Sequence, residues 1–135
     1  MADKLFELEI VRPDKVFFRD QVTMVEYNTT EGETGVYAGH IPMTQIIAPG
    51  ELVITTPEGD RRAALHEGFV EILPEKVMIL AQAVEWPEDI DVKRAEEARI
   101  RAQRRLAEEG GPGDVLRAEM ALKRALLRLG VAGGK

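Results

Sequence analysis

The sequence predicts an α+β chain, with an N-terminal antiparallel β-sandwich over residues 1–84 and a C-terminal antiparallel two-helix hairpin over residues 85–135. Three observations carry that reading. Short segments that alternate apolar and polar follow one another through the first two thirds, separated by turn residues and with no helical period between them. After Val84-Glu85-Trp86-Pro87 the β-branched residues thin out, and Ala, Arg, Glu and Leu, all good helix formers, take over. The helical part is interrupted at Gly110-Gly111-Pro112-Gly113, a joint short enough to imply antiparallel neighbours.

The elements follow in order. Phe6-Glu7-Leu8-Glu9-Ile10-Val11 alternates as a strand with one buried face should, and Arg12-Pro13-Asp14 ends it because Pro lacks the ladder N–H. Further strands are expected at residues 15–19, 22–29, 35–37, 44–47, 52–56, 61–67, 69–73 and 76–82. Thr56-Pro57-Glu58-Gly59-Asp60 reads as a hairpin tip, since Pro presets one φ and Gly supplies a positive one. The first helix is expected to begin just after Pro87, with Glu88 and Asp89 at its positive end, and to run to about Glu109. Gly110 and Gly111 suit a left-handed cap, and Asp114 suits the N-cap of a second helix ending near Leu129-Gly130. Ala95, Ala98, Ala102 and Leu106 on one helix, and Ala118, Ala121, Ala125 and Leu129 on the other, form stripes of small residues that let the two approach closely.

Composition narrows the function. The chain has 135 residues, 44% of them hydrophobic, and no apolar run of the length that spans a bilayer. No secretory signal is expected from the N-terminus, and the lack of cysteine excludes a disulfide framework or a thiolate metal site. A net charge of −6 argues against general nucleic-acid binding. The charge is uneven: −7 over residues 1–84 and +1 over residues 85–135, as suits two modules with different partners. None of the phosphate-loop, nucleophile-elbow or zinc-protease motifs occurs, so a binding subunit is expected rather than an enzyme. His40, in Gly39-His40-Ile41-Pro42, reads as a loop-shaping residue, and no metal-ligand pattern surrounds it or His66.

The hairpin holds the most suggestive residues. Asp91 and Arg94 are i, i+3 on one helix face, with Arg101 two turns further on, and Arg124 and Arg128 are i, i+4 on the second helix. Brought together, such guanidiniums match phosphate oxygens and stack on planar bases. Spacing alone equally fits a solvated face or a surface for an acidic protein partner.

Val11-Arg12-Pro13-Asp14, residues 35–42, Glu67-Gly68-Phe69-Val70-Glu71-Ile72, Val77-Met78-Ile79-Leu80-Ala81, Ile90–Ala95 and Ala121-Leu122-Lys123-Arg124-Ala125 form a series spread over the full length. By the order and spacing of these segments the whole chain resembles the epsilon subunit of bacterial F-type ATP synthases. Ala38 and Glu67 depart from residues common in the family, Pro and Gly respectively, both at loop level. The resemblance implies a non-catalytic rotor subunit on the cytoplasmic face of the bacterial plasma membrane, peripheral and not itself inserted. Its sandwich would hold the gamma subunit and the c-ring, and its mobile hairpin would extend toward the beta and alpha subunits and hinder ATP hydrolysis. Bacillus-like members bind ATP, with or without Mg²⁺, through a motif of the form I(L)-D-x-x-R-A, intact here as Ile90-Asp91-Val92-Lys93-Arg94-Ala95. By that resemblance Glu85, Asp91, Arg94, Arg101, Arg124 and Arg128 match nucleotide-contacting positions. Two other readings compete: the same rotor subunit without ATP sensing, and a free-standing small-ligand-binding sandwich.

Overall fold

Alternation along the chain becomes alternation of burial in the computed structural model, which describes residues 4–108 and 110–133. In β1 (Phe6–Val11), Phe6, Leu8 and Ile10 are buried while Glu7, Glu9 and Val11 are half-exposed. The same alternation runs through β3 (Met24–Thr29), β6 (Gly50–Thr56), β8 (Gly68–Ile72) and β9 (Lys76–Ala81), whereas β2 (Val16–Val22), β4 (Gly32–Tyr37), β5 (Met43–Ile47) and β7 (Gly59–Leu65) are largely exposed and bury residues only toward their C-terminal ends; β10 (Val84–Glu85) is a two-residue strand. A 3₁₀ turn at Pro87–Asp89 and the helices α1 (Val92–Ala107) and α2 (Pro112–Gly133) follow. The chain divides into two units, Met1–Glu85 and Trp86–Lys135.

The ladder runs β10-β7-β6-β3-β5-β8-β9-β1-β2, with β4 paired to β3 beside this path. Every pair is antiparallel except β1 with β9, which run parallel with Leu8 opposite Val77 and Ile10 opposite Ile79. Thr23, the residue between β2 and β3, closes the structure. It donates its N–H at 2.8 Å and its Oγ1 at 3.0 Å to the Thr55 carbonyl of β6. The last strand of the ladder is thereby tied back toward the other end, and the sheet folds over on itself as a sandwich. Inside lie Leu8, Ile10, Val25, Tyr27, Leu52, Ile54, Val70, Ile72 and Ile79, all buried. Each aliphatic side chain so buried contributes about 1.5–3 kcal/mol. Tyr27 enters the core by giving its hydroxyl to Gln45 Oε1 at 2.6 Å, and burial pushes the phenol up to about 12.

The two-residue hairpins share one construction. At the β6–β7 tip Thr56 Oγ1 donates to the Gly59 carbonyl at 2.9 Å and accepts the Glu58 N–H at 3.2 Å. Thr29 makes the same pair of bonds to Gly32 and Glu31, at 2.8 and 3.1 Å. That second turn starts β4 at Gly32, three residues before the position expected from the sequence. Gly59 holds φ at 127°, and a Cβ there meets nothing within 4 Å. Gly59→Ala is therefore expected to cost only the backbone penalty, about 1–2 kcal/mol in a chemical denaturation curve.

The helix boundaries differ from those read in the sequence. Glu88 and Asp89 lie in the 3₁₀ turn, not in α1, because Ile90 is extended and Asp91 is the true N-cap, its Oδ1 accepting the Arg94 N–H at 3.0 Å. The expected end of the first helix at Glu109 lies outside the described residues. α1 ends at Ala107, and its cap is Glu108 in extended conformation, not a left-handed glycine. α2 starts at Pro112, two residues before the expected cap Asp114. The Gly111 carbonyl accepts from Asp114 and Val115 at 3.0 and 3.1 Å, so Pro112 occupies the first helical position. The helix then passes through Gly130 to Gly133 and buries Val131. A helical glycine costs about 1 kcal/mol, less than a buried valine returns.

Candidate functional site

The hairpin is held by alanines. Ala95 and Ala102 on α1, and Ala118 and Ala125 on α2, are each 4% exposed or less, while Ala98, Leu106, Ala121 and Leu129 are half-buried. The seam is the one the alanine spacing predicts, and the helices pack along it.

Side-chain phase around that seam decides where the arginines go. At about 100° per residue, Arg94 and Arg101 lie about 100° to one side of Ala95 and Ala102. Arg124 and Arg128 lie about 60–100° to the same side of Ala125. In an antiparallel pair, equal senses of rotation place residues on the same edge. Arg105 and Arg117 have the same phase, and both line one surface cleft with Ala118 at the turn end of the hairpin. That shared cleft supports the geometry. Sequence reading did not single out these two residues, although their phase was available to it.

The edge is graded in exposure. Arg94 and Arg101 are exposed, whereas Arg124 and Arg128 are half-buried. The guanidiniums of Arg94, Arg101 and Arg124 make no hydrogen bond or ion pair to another described residue. Near the turn Arg117 is committed to Asp114 at 2.6 Å, a bond that holds the Asp114 carboxyl below its usual range. Elsewhere on α1, Arg99 binds Glu96 and Gln103, and its hydrogen bond lowers the Glu96 carboxyl in the same way. Both pairs are solvent-exposed and screened, so neither is what holds the hairpin together.

The remaining predicted residues have structural work of their own. In Ile90–Ala95, Ile90 is buried, Asp91 caps α1 and Ala95 lies in the seam. Arg94 is the motif position with an exposed, uncommitted head. Glu85 belongs to the first unit, at the end of β10. There it pairs with Ala64, and its Oε1 lies 3.2 Å from His66 Nε2. His40 binds its own loop, with Nδ1 2.8 Å from the Ile41 carbonyl. Among the described residues no cluster of His, Asp or Glu can hold a metal, and no helix is long and apolar enough to cross a membrane.

Comparison with known proteins finds two family models that divide the chain as the fold does. Residues 5–87 match the ATP synthase delta/epsilon chain β-sandwich domain, and residues 88–133 match its long α-helix domain. The chain is 41% identical over 127 residues to the ATP synthase epsilon chain of Clostridium novyi, covering 93% of this chain and 96% of that one. It is 42% identical over 130 residues to the ATP synthase epsilon chain of Bacillus pumilus, covering 96% and 98%. Among solved structures, a chain of the Euglena gracilis mitochondrial ATP synthase (OSCP/F1/c-ring assembly) superposes with a TM-score of 0.78. It has 24% identity over 91% of this chain and 79% of that one, and shows the same fold.

Proposed function

The chain belongs to the ATP synthase delta/epsilon family, and from that premise we propose that its hairpin is an ATP-sensing regulator of the rotor. The sandwich serves as the part that holds the gamma subunit and the c-ring. The hairpin binds ATP in its folded form and, when released, reaches toward the beta and alpha subunits and hinders hydrolysis. The isolated chain has no turnover of its own in this reading, and the assembly sits on the cytoplasmic face of the bacterial membrane.

The observation that supports the reading best is the arginine edge. Arg94, Arg101, Arg124 and Arg128 share one edge of a hairpin whose small-residue seam makes folding and release inexpensive. Asp91, Arg94 and Glu85 complete the proposed contacts to the nucleotide. A ligand that binds only the folded hairpin stabilises it by RT ln(1 + [L]/Kd), about 2.7 kcal/mol at a hundredfold excess over Kd. Differential affinity of that size moves the folded population severalfold to a hundredfold.

A second reading, a motif that serves structure alone, draws support from the cap formed by Asp91 and the burial of Ile90 and Ala95. Asp91→Ala does not separate the two readings, since loss of the cap alone costs about 1 kcal/mol. Arg94→Ala does. Titration calorimetry with MgATP, and ADP for comparison, is expected to show saturable, ATP-selective binding by the unaltered chain. Arg94→Ala is expected to weaken it roughly tenfold or more, as loss of a charged hydrogen bond should, with an unchanged melting temperature. Unchanged affinity in Arg94→Ala, or no binding by the unaltered chain at millimolar ATP, favours the structural reading.

A further inference from the structure

We propose that Arg12 is a strap that fastens β10, the last strand of the sandwich, and so makes Trp86 the first residue from which the chain can move. The fastening stands on the first unit alone; its meaning for regulation rests on the release of the hairpin proposed above.

β10 has little of its own to hold it. It is two residues long, lies at one end of the ladder and pairs with β7 through Val84 opposite Leu65 and Glu85 opposite Ala64. The His66 N–H donates to the Ala83 carbonyl at 2.9 Å, just outside the Val84–Leu65 pair. In an antiparallel ladder that bond makes Val84 and Leu65 a non-hydrogen-bonded pair, so the Val84 carbonyl points away from β7, toward the open edge. Val84 is nevertheless buried, with 0% exposed. A carbonyl withdrawn both from the ladder and from water needs a partner, because leaving it unpaired opposes folding.

Arg12 supplies that partner from seventy-two residues earlier, its Nη1 donating to the Val84 carbonyl at 3.4 Å. The guanidinium is held in place for this. The turn after β1 closes in both directions, with the Arg12 N–H donating to the Lys15 carbonyl at 2.8 Å and the Lys15 N–H to the Arg12 carbonyl at 3.3 Å. Asp14, at the turn, takes Nε at 3.0 Å and Nη2 at 3.2 Å, a two-pronged grip that leaves Nη1 for Val84. A charged donor makes a stronger bond than a neutral one, so a single contact suffices to close the edge.

The strap matters because of where β10 ends. The first unit closes at Glu85, and Trp86 opens the second. With β10 fastened, Val84 and Glu85 belong to the rigid sandwich. If β10 peeled away, both residues would join the moving segment and lengthen it by about 7 Å when extended. Arg12 thereby limits how far a released hairpin reaches.

The test is amide hydrogen exchange of the full chain, followed residue by residue by NMR, in the unaltered protein, Arg12→Met and Arg12→Lys. Met keeps the apolar stem without a donor, whereas Lys keeps a charged donor. The expected result is exchange of the His66 and Glu85 amides about tenfold faster or more in Arg12→Met, and within about threefold of the unaltered rate in Arg12→Lys. The amides of Val25 and Val36, paired across β3 and β4, should not change in either variant. Unchanged exchange at His66 and Glu85 in Arg12→Met overturns the proposal, as does equal acceleration in both variants. Acceleration that includes Val25 and Val36 also overturns it, since that reports general destabilisation. Should Arg12→Met fail to fold, the guanidinium resonances of Arg12 in the unaltered chain decide. Separate signals for its Nη groups on cooling support the strap, and one averaged signal overturns it. None of these readouts involves ATP, so failure of the nucleotide-sensing reading and failure of the strap are told apart.

Discussion

Gly68→Ala should destabilise the sandwich by about 3 kcal/mol, at or above the upper end of the range for an added methyl group. Gly68 pairs on one side with Ile47 of β5 and on the other with Ala81 of β9. A Cβ built at this position falls 2.1 Å from the Leu80 carbonyl oxygen and 2.9 Å from Ala81 Cα. Both are backbone atoms of a paired strand, so no side-chain rotation relieves the overlap. Either the ladder between β8 and β9 opens, or β9 shifts and carries its parallel partner β1 with it. For a unit of this size the change corresponds to a melting temperature lowered by roughly 12–24 °C. Gly35→Ala is the control. Its Cβ would meet Glu26 Cγ at 3.6 Å, an ordinary contact, so its melting temperature should stay close to that of the unaltered chain. Equal melting temperatures for the two variants would refute the close-approach explanation.

How far such features can be read in advance depends on how local their cause is. The strand at Phe6–Val11 and the tip at Thr56–Gly59 are legible because period-two burial and turn chemistry involve adjacent residues. β10 was missed: Val84-Glu85 is too short to show a period and is a strand only because Leu65 and Ala64 lie beside it. The parallel pairing of β1 with β9 is invisible for the same reason, since register between segments some seventy residues apart leaves no local mark. Proline misled twice. Pro87 looks like a helix start but opens only a 3₁₀ turn, and Pro112 looks like a breaker but begins α2. Proline fits both roles, and the choice falls to its neighbours: Asp91 supplies a better cap downstream, and the Gly111 carbonyl accepts the first bonds of α2. The arginine edge was half legible. Spacing identified aligned pairs on each helix, but which pairs share an edge depends on where the alanine seam lies relative to them. Applying that phase to every arginine brings in Arg105 and Arg117. The bond from His66 to Glu85 had no signal in the sequence, because it joins residues nineteen apart across a strand pair.

Ala125→Leu should dismantle the hairpin and leave the sandwich standing. Leu has nearly the helix propensity of Ala, so any loss reports packing rather than backbone preference. Ala125 is 1% exposed in the seam, with Ala118 two turns away at 1%, and Ala95 and Ala102 are the buried seam residues of α1. Stripes this small set the helix axes near the short end of the ~8–10 Å range, leaving no space for three further heavy atoms. Overpacking costs typically about 1–3 kcal/mol in a large core that can share the strain. A unit of fifty residues with a core made mainly of alanines has little reserve against it. The expected result is loss of most helical circular dichroism at 222 nm, with the strand signal and its cooperative melt retained. Leu126→Ala, at a position 49% exposed, should change neither. Nucleotide binding adds the functional test. If ATP is held by arginines that converge only when α1 and α2 are in register, Ala125→Leu should abolish binding without altering any proposed contact residue. If Ala125→Leu loses the helical signal yet binds MgATP at full affinity, the nucleotide does not depend on the folded hairpin, and the arginine edge is not its site.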